Sequence, residues 1–188
     1  MRPLLPYRLT ICGLAELCLH GAAGVTDVLT ILDPGWPDPE DFAVWPAHRR
    51  TTLRFHDIVT ERDGMAPPQV AHVRAILEWG QDAVDGEVNH LLVHCHMGIS
   101  RSTAAAAMLM AQHNDGREEE VFAEIRRIRP SAWPNSRMLA MADGLMGRGG
   151  RLVEAMRGHH ARVARAFPQF VEQLRQSERA GELPEDLR

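Results

Sequence analysis

The stretch His90-Leu91-Leu92-Val93-His94 runs directly into Cys95-His96-Met97-Gly98-Ile99-Ser100. An Ala- and Met-rich segment from Arg101 to His113 follows without a spacer. Side chains alternate along a strand, so consecutive Leu91, Leu92 and Val93 put apolar groups on both of its faces. Such a strand belongs inside a sheet that is covered on both sides. A covered strand feeding a short loop and then a helix is the unit of α/β architecture.

The rest of the chain repeats that alternation. Residues 8–12 read as a strand and residues 14–20 as a helical turn. Residues 25–32 form a β-branched apolar run that ends at the turn signal Asp33-Pro34-Gly35. Residues 34–48 hold four prolines and two tryptophans and read as an ordered loop. Residues 51–55 are a third strand. Pro67-Pro68 opens a helix whose apolar positions Val70, Val73, Ile76, Leu77 and Ala83 keep helical spacing. Helices are predicted over 118–128 and 136–146, and a further helix from Gly150 onward is broken at Pro168. The expectation is an α/β domain with a mainly parallel four- to five-stranded sheet flanked by helices. Residues 1–148 would form this domain, and residues 149–188 a C-terminal helical extension packed on it, with a dimer contact as the second reading of its apolar stripe.

Composition excludes several chemistries. All 21 basic residues are arginine, and lysine is absent. The chain therefore lacks the lysine of a Walker-type phosphate loop, of a Schiff base and of an ordinary protein kinase. Any anion it grips is held by arginine, backbone N–H groups or histidine. A formal net charge of -4 shows no basic excess, so no nucleic-acid partner is expected. Arg8 and Glu16 interrupt the apolar start too early for a signal peptide, and the longest charge-free stretch, near residues 102–114, is too short to span a bilayer. No membrane association is expected. Three cysteines make no disulfide framework, which favours a reducing, cytoplasmic setting.

The loop after residue 94 carries the chemistry. Between Cys95 and Arg101 the backbone is able to curl with its N–H groups inward, and the positive end of the following helix reinforces that anion cradle. Gly98 permits the backbone angles the curl needs. Arg101 is spaced to close the cradle with a bidentate fork on two phosphate oxygens. Cys95 at the base sits in the same positive field, which favours its thiolate, a nucleophile aimed at phosphorus. The side chains of His96 and Met97 are expected to point outward and shape the rim, with Ile99 and Ser100 completing the loop.

This segment resembles the active-site loop of the cysteine-dependent protein tyrosine phosphatases, and the short chain resembles their compact dual-specificity branch. Residues 28–35 resemble the strand and turn that open the family's core. Leu53-Arg54-Phe55-His56-Asp57 resembles the strand that leads to its general-acid loop. Arg129-Pro130-Ser131-Ala132-Trp133-Pro134-Asn135 resembles its Arg-Pro…Pro-Asn segment. The resemblance spans roughly residues 8–147. It implies a phosphotyrosine phosphatase-like fold and hydrolysis of phosphotyrosine, with phosphoserine and phosphothreonine as further substrates, through a phosphocysteine intermediate.

In that scheme Cys95 is the nucleophile and Arg101 the phosphate ligand. Ser102, otherwise a helix N-terminal residue, implies a hydrogen bond that eases departure of the thiolate. The leaving oxygen needs a proton. Asp57 is the candidate donor, because it follows a strand at the start of a polar loop and lies 38 residues before Cys95; Glu61 and Asp63 are rivals. His94 either supports the loop from beneath or is an ordinary core histidine. Asn135 either braces the loop, as the resemblance implies, or is a turn residue. Trp36 and Trp45 read as a pocket wall or a core cap. Cys12 and Cys18 read as buried thiols, with protection of an oxidised Cys95 as the alternative. His94, Cys95 and His96 lack the spacing of a zinc loop, so neither metal nor cofactor is expected. The expected partner is a phosphorylated protein substrate, met by a monomer or homodimer. Other readings are a small-molecule or inositol phosphate phosphatase, a phosphate-binding interaction module, and a sulfur-transfer or arsenate-reducing enzyme.

Overall fold

The structure, a computed structural model, describes residues 2–86 and 88–188. Strands β1 (Arg8–Cys12), β2 (Asp27–Leu32), β3 (Arg49–Arg54) and β4 (His90–His94) form one sheet in the order β1-β4-β2-β3. Among the described residues every pairing is parallel, and the expected four- to five-stranded sheet has four strands, all parallel. Every residue of β4 is buried, as its doubly apolar pattern requires.

Among the described residues there are six α-helices: α1 (Val70–Asp85), α2 (Arg101–Gln112), α3 (Glu118–Ile128), α4 (Ser136–Leu145), α5 (Arg151–Ala166) and α6 (Pro168–Arg175). Helix α2 runs through the middle. It is buried on all sides from Arg101 to Ala111, and the run Ala104 to Ala107 lets neighbouring elements approach its backbone closely. Ile11, Leu29, Ile31, Leu91 and Val93 join α1 to α4 in one core. Each such fully buried aliphatic side chain contributes roughly 1.5–3 kcal/mol by leaving water.

The opposite face, with Val28 and Leu92, is covered differently. Two short 3-10 segments, Leu14–Leu19 and Glu40–Val44, lay Leu17 and Phe42 across it, and Trp45 packs behind Phe42. The Pro-rich stretch after β2 thus does the work of a covering layer, and Trp45 is a core cap. Helix α1 begins two residues after Pro68, with Pro67-Pro68 as its extended lead-in. Pro168 stands at the first turn of α6, where its missing N–H ends α5.

Helix ends follow simple electrostatics. Glu118, Glu119 and Glu120 occupy the first turn of α3 and Arg126 and Arg127 its last, opposing the helix dipole at both ends. Asn135 caps α4 by accepting a hydrogen bond from Met138 N at 3.1 Å. After α6 the chain turns through a 3-10 segment, Glu178–Glu182. Val163, Val171, Leu174 and Leu183 of this C-terminal region close around Trp133, whose ring stacks on His160 at 4.0 Å. Cys18 is exposed, against the expectation of a buried thiol, while Cys12 is buried. Among the described residues, no helix is long and apolar enough to cross a membrane.

Candidate active site

Parallel strands end on the same edge of the sheet, which is where open α/β folds gather functional loops. Gly13 follows β1, Asp33 follows β2, Phe55 to Asp57 follow β3 and Cys95 follows β4. The sheet thereby brings four separate segments of chain to one place.

The loop from Cys95 to Ser100 is held from outside by its carbonyls. His96 O accepts from Leu14 N at 2.9 Å, and Ile99 O accepts from Trp133 N at 2.9 Å. Ser100 O accepts from Ala104 N at 2.9 Å and Asn135 N at 3.4 Å. Arg129 takes the two between, donating from Nη2 to Met97 O and from Nε to Gly98 O, both at 3.2 Å. In a planar trans peptide the N–H points opposite to the C=O. Carbonyls tied outward therefore turn the loop's N–H groups inward. One of them, Gly98 N–H, reaches Cys95 Sγ at 3.3 Å.

Two glycines make this curl sterically possible. Gly98 has φ of 68°, and a Cβ there would meet Cys12 C at 2.5 Å and Gly13 N at 2.6 Å. A Cβ on Gly13 would meet His96 O and Met97 C, each at 2.9 Å. The loop and the end of β1 are in backbone-to-backbone contact.

Cys95 is buried, with Ser102 Oγ 3.2 Å from its sulfur. Arg101 is buried as well. Its Nη1 donates to Asp33 Oδ1 at 2.6 Å and to Phe55 O at 2.5 Å, which fixes the plane of the guanidinium. Its Nε is buried with no hydrogen-bond partner among the described residues. A buried donor left unpaired is costly, and one held in a fixed plane suits an anionic acceptor.

The two flanking histidines do different things. His94 lies wholly inside, bonded through Nε2 to Thr30 Oγ1 on β2 at 2.7 Å. Burial pushes its pKa down to about 4, so the ring is neutral. His96 was expected at the rim, but it folds back. Its Nε2 accepts from Asp33 N at 3.3 Å, and its ring meets Trp36 edge-on at 4.5 Å. Burial holds its pKa below the ordinary value, against the pull of Asp33. Met97 does face outward, 68% exposed, and Trp36 is half-exposed beside His96.

Asp57 sits against the same loop. Its Oδ1 accepts from Ser100 Oγ at 2.7 Å and from Asn135 Nδ2 at 2.9 Å. Asn135 also donates to Ile58 O at 3.3 Å, so it ties this loop to the start of α4. The rivals are elsewhere: Glu61 is exposed and pairs with Arg137 at 3.3 Å, and Asp63 is exposed.

Four contributors were not singled out from the sequence. Asp33 orients Arg101. Gly13 packs beneath the loop. Glu16 accepts from Gly13 N at 2.6 Å and from Arg129 Nη1 at 2.8 Å. Burial raises the Glu16 pKa, but Arg129 and Gly13 outweigh it and hold the carboxyl below the usual range. Arg179, from the C-terminal region, donates to Ser100 Oγ at 2.8 Å. For Arg129 the Arg-Pro pair was a signal; for the others no local pattern distinguishes them from ordinary turn or surface residues. Among the described residues, no group of three or more His, Cys, Asp or Glu is clustered as a metal site.

No protein-family model matches the chain, and neither does any curated protein sequence. Solved structures do. Human DUSP28 is 20% identical, with 74% of this chain and 91% of that chain covered and a TM-score of 0.56. A mouse putative dual specificity phosphatase complexed with zinc tungstate is 20% identical over 82% of this chain and 89% of that chain, with a TM-score of 0.58. The fold is that of the dual-specificity phosphatases. A human tyrosine phosphatase-like serine/threonine/tyrosine-interacting protein shares it, at 18% identity, 77% and 94% coverage and a TM-score of 0.58. At these identities the likeness to dual-specificity phosphatases is one of fold.

Proposed function

We propose that this protein is a cysteine-dependent protein phosphatase that hydrolyses phosphotyrosine, and also phosphoserine and phosphothreonine, through a phosphocysteine intermediate. The observation that carries this reading is the loop itself. Its carbonyls are tied outward, its N–H groups turn inward, and Cys95 Sγ lies at its base beside Ser102 Oγ and Gly98 N–H.

The phosphate of the substrate binds the inward N–H groups and the Arg101 guanidinium. The Cys95 thiolate attacks phosphorus, the S–P bond forms and the P–O bond to the leaving group breaks. Asp57 gives its proton to the departing oxygen. Oδ1 of Asp57 already accepts from Ser100 and Asn135, so the proton is carried on Oδ2. Water then attacks phosphocysteine, Asp57 takes a proton from it, and the S–P bond breaks to release inorganic phosphate. A hydrogen bond from Ser102 Oγ stabilises the thiolate as it leaves. Each step uses a group of this chain, with no cofactor.

A protein substrate is favoured over an inositol phosphate by charge. Beyond Arg101 the loop's one titratable cation is His96, and its Nε2 is occupied as an acceptor while burial favours the neutral ring. The cradle is thus matched to one phosphate group. The mouse neighbour's complex with tungstate, another tetrahedral oxyanion, supports the same ligand chemistry. A silent binding module is disfavoured because nucleophile, phosphate ligand and proton donor are all present. Three free thiols support a cytoplasmic setting.

The test is hydrolysis of p-nitrophenyl phosphate and of phosphotyrosine and phosphothreonine peptides, by wild type, Cys95→Ser and Asp57→Ala. Wild type is expected to turn over without added metal and to be inhibited by vanadate. Cys95→Ser abolishes turnover while keeping substrate binding. Asp57→Ala lowers it about 100- to 10,000-fold on poor leaving groups. Turnover that survives Cys95→Ser, or that requires a divalent metal, overturns the reading.

A further inference from the structure

The C-terminal turn delivers three charged side chains to the candidate site. Glu178 Oε1 accepts from Val59 N at 3.2 Å and its Oε2 from Thr60 Oγ1 at 2.8 Å, two residues of the loop that begins at Asp57. Glu182 Oε2 accepts from Trp133 Nε1 at 2.7 Å and its Oε1 from Ser136 N at 3.2 Å. Arg179 lies between them. Its Nε donates to Glu182 Oε2 at 2.7 Å, its Nη2 to Trp133 O at 3.2 Å, and its Nη1 to Ser100 Oγ at 2.8 Å. Nη1 also lies 3.7 Å from Asp57 Oδ1.

These groups are largely withdrawn from water: the side chains of Arg179, Glu178 and Glu182 are 12%, 11% and 6% exposed. Desolvating charges is expensive, so a purely structural anchor is better built from apolar groups. This turn already has such an anchor in Leu183, buried beside Trp133. The charged set therefore calls for a further role.

The hydroxyl of Ser100 supplies it. A serine hydroxyl has one proton to give and accepts through its lone pairs. Arg179 has donors only, so at Ser100 Oγ it must donate. With that contact made, the Ser100 proton is directed to Asp57 Oδ1, 2.7 Å away. Asn135 occupies the same carboxylate oxygen, and its own orientation is set by Met138 N on its Oδ1. Oδ1 is left as an acceptor, and Oδ2 carries the acid proton.

We propose that Arg179 is a positioning residue for the proton donor: it orients the Ser100 hydroxyl and thereby holds Asp57 with Oδ2 as the proton-bearing oxygen. The C-terminal turn is then part of the reaction machinery. This rests on the phosphatase reading above, with Asp57 as general acid.

General-acid catalysis matters most when the leaving group is a weak acid. The test compares kcat/KM on phenyl phosphate with that on 2,4-dinitrophenyl phosphate, whose leaving group departs readily without a proton. Arg179→Met is expected to lower kcat/KM on phenyl phosphate about 10- to 100-fold, part of the roughly 100- to 10,000-fold that a general acid contributes. On the dinitrophenyl ester it falls much less, and the vanadate inhibition constant stays within about twofold. Ser100→Ala should show the same selectivity, and adding Arg179→Met to it should bring no further selective loss. Arg179→Lys keeps a donor for Ser100 and should recover most of the ratio. Arg175→Met, on the same C-terminal region but bonded to Glu172 and Leu187 O, is the unchanged control.

The proposal is overturned if Arg179→Met lowers both esters by the same factor, or neither, since a merely structural role does not depend on the leaving group. If Arg179→Met does not fold, Ser100→Ala decides: an unchanged ester ratio overturns the proposal. A wild type inactive on both esters refutes the phosphatase reading itself, and the positioning role falls with it.

Discussion

Asp33 Oδ1 and Arg101 Nη1 are 2.6 Å apart although 68 residues separate them in sequence. The guanidinium is 3% exposed and the carboxylate 36%. A nearly buried cation thus depends on a half-exposed partner and on one backbone carbonyl. Removing one partner of a fully buried pair costs about 3–5 kcal/mol, and the exposure of Asp33 reduces that. Asp33→Ala is therefore expected to destabilise the fold by about 1–2 kcal/mol in urea denaturation. Saturating vanadate, by replacing the lost anion, should recover part of the loss. Arg101→Lys keeps the charge and loses the fork, so turnover should fall about 100-fold, as for a misplaced reacting group. Near-normal activity of Arg101→Lys would mean that the fork is not the phosphate ligand.

Gly98 leaves less room for compensation. Its φ of 68° disfavours any side chain, and a Cβ would come within 2.5 Å of the Cys12 backbone. Neither side of that contact is a flexible side chain. Gly98→Ala should separate the loop from β1, abolish vanadate binding and lower the melting temperature by several degrees, roughly 1–3 kcal/mol of strain. Wild-type vanadate affinity in Gly98→Ala would contradict the packing described.

The parts of this site that were legible are contiguous in sequence. Strand β4, the loop and helix α2 lie within one run, so their pattern is local and the apolar period decides it. Asp57 was legible because a strand precedes it and a polar loop follows, which is also local; Asn135 entered only through the resemblance of its Arg-Pro…Pro-Asn segment, since Pro134 alone marks a turn. Asp33, Glu16 and Arg179 were not, because a lone charge in a turn looks the same whether it is solvated or partnered. Their partners are supplied by topology. The order β1-β4-β2-β3 returns the chain to the middle of the sheet after α1, and only that crossover sets Asp33 beside Arg101. The same holds for the second face of the sheet, where a Pro-rich stretch with no helical period provides the cover through Phe42.

Arg129 is expected to act on the loop without touching substrate. It binds Met97 O and Gly98 O and is itself held by Glu16 at 2.8 Å. Arg129→Met frees both carbonyls, so the peptide planes that direct N–H groups inward lose their restraint. Vanadate affinity should drop about tenfold, equivalent to about 1.4 kcal/mol, while the far-ultraviolet circular dichroism stays that of the wild type. Unaltered affinity would show that Trp133 N and Leu14 N suffice to hold the loop.

Acid should weaken the fold before it protonates the carboxylates. Burial pushes the pKa of His94 down to about 4, and that of His159 down to about 4 as well, against an ordinary value of 6.5. Both rings are neutral in the folded protein, with His94 on Thr30 and His159 Nε2 on Ala132 O at 2.8 Å. His160 is shifted in the same direction by burial. Between pH 6.5 and 4 the unfolded chain binds protons that the folded chain refuses, so stability rises with pH across that window and is lost as pH falls through it. At about 1.4 kcal/mol per pH unit, His94 and His159 each contribute a loss on the order of 2 kcal/mol by pH 5. Thermal melts should therefore shift down steadily from pH 7 to pH 5. His159→Gln removes one of these titrations and should flatten that slope. A melting temperature that stays constant over the interval would mean that these rings protonate without opening the structure.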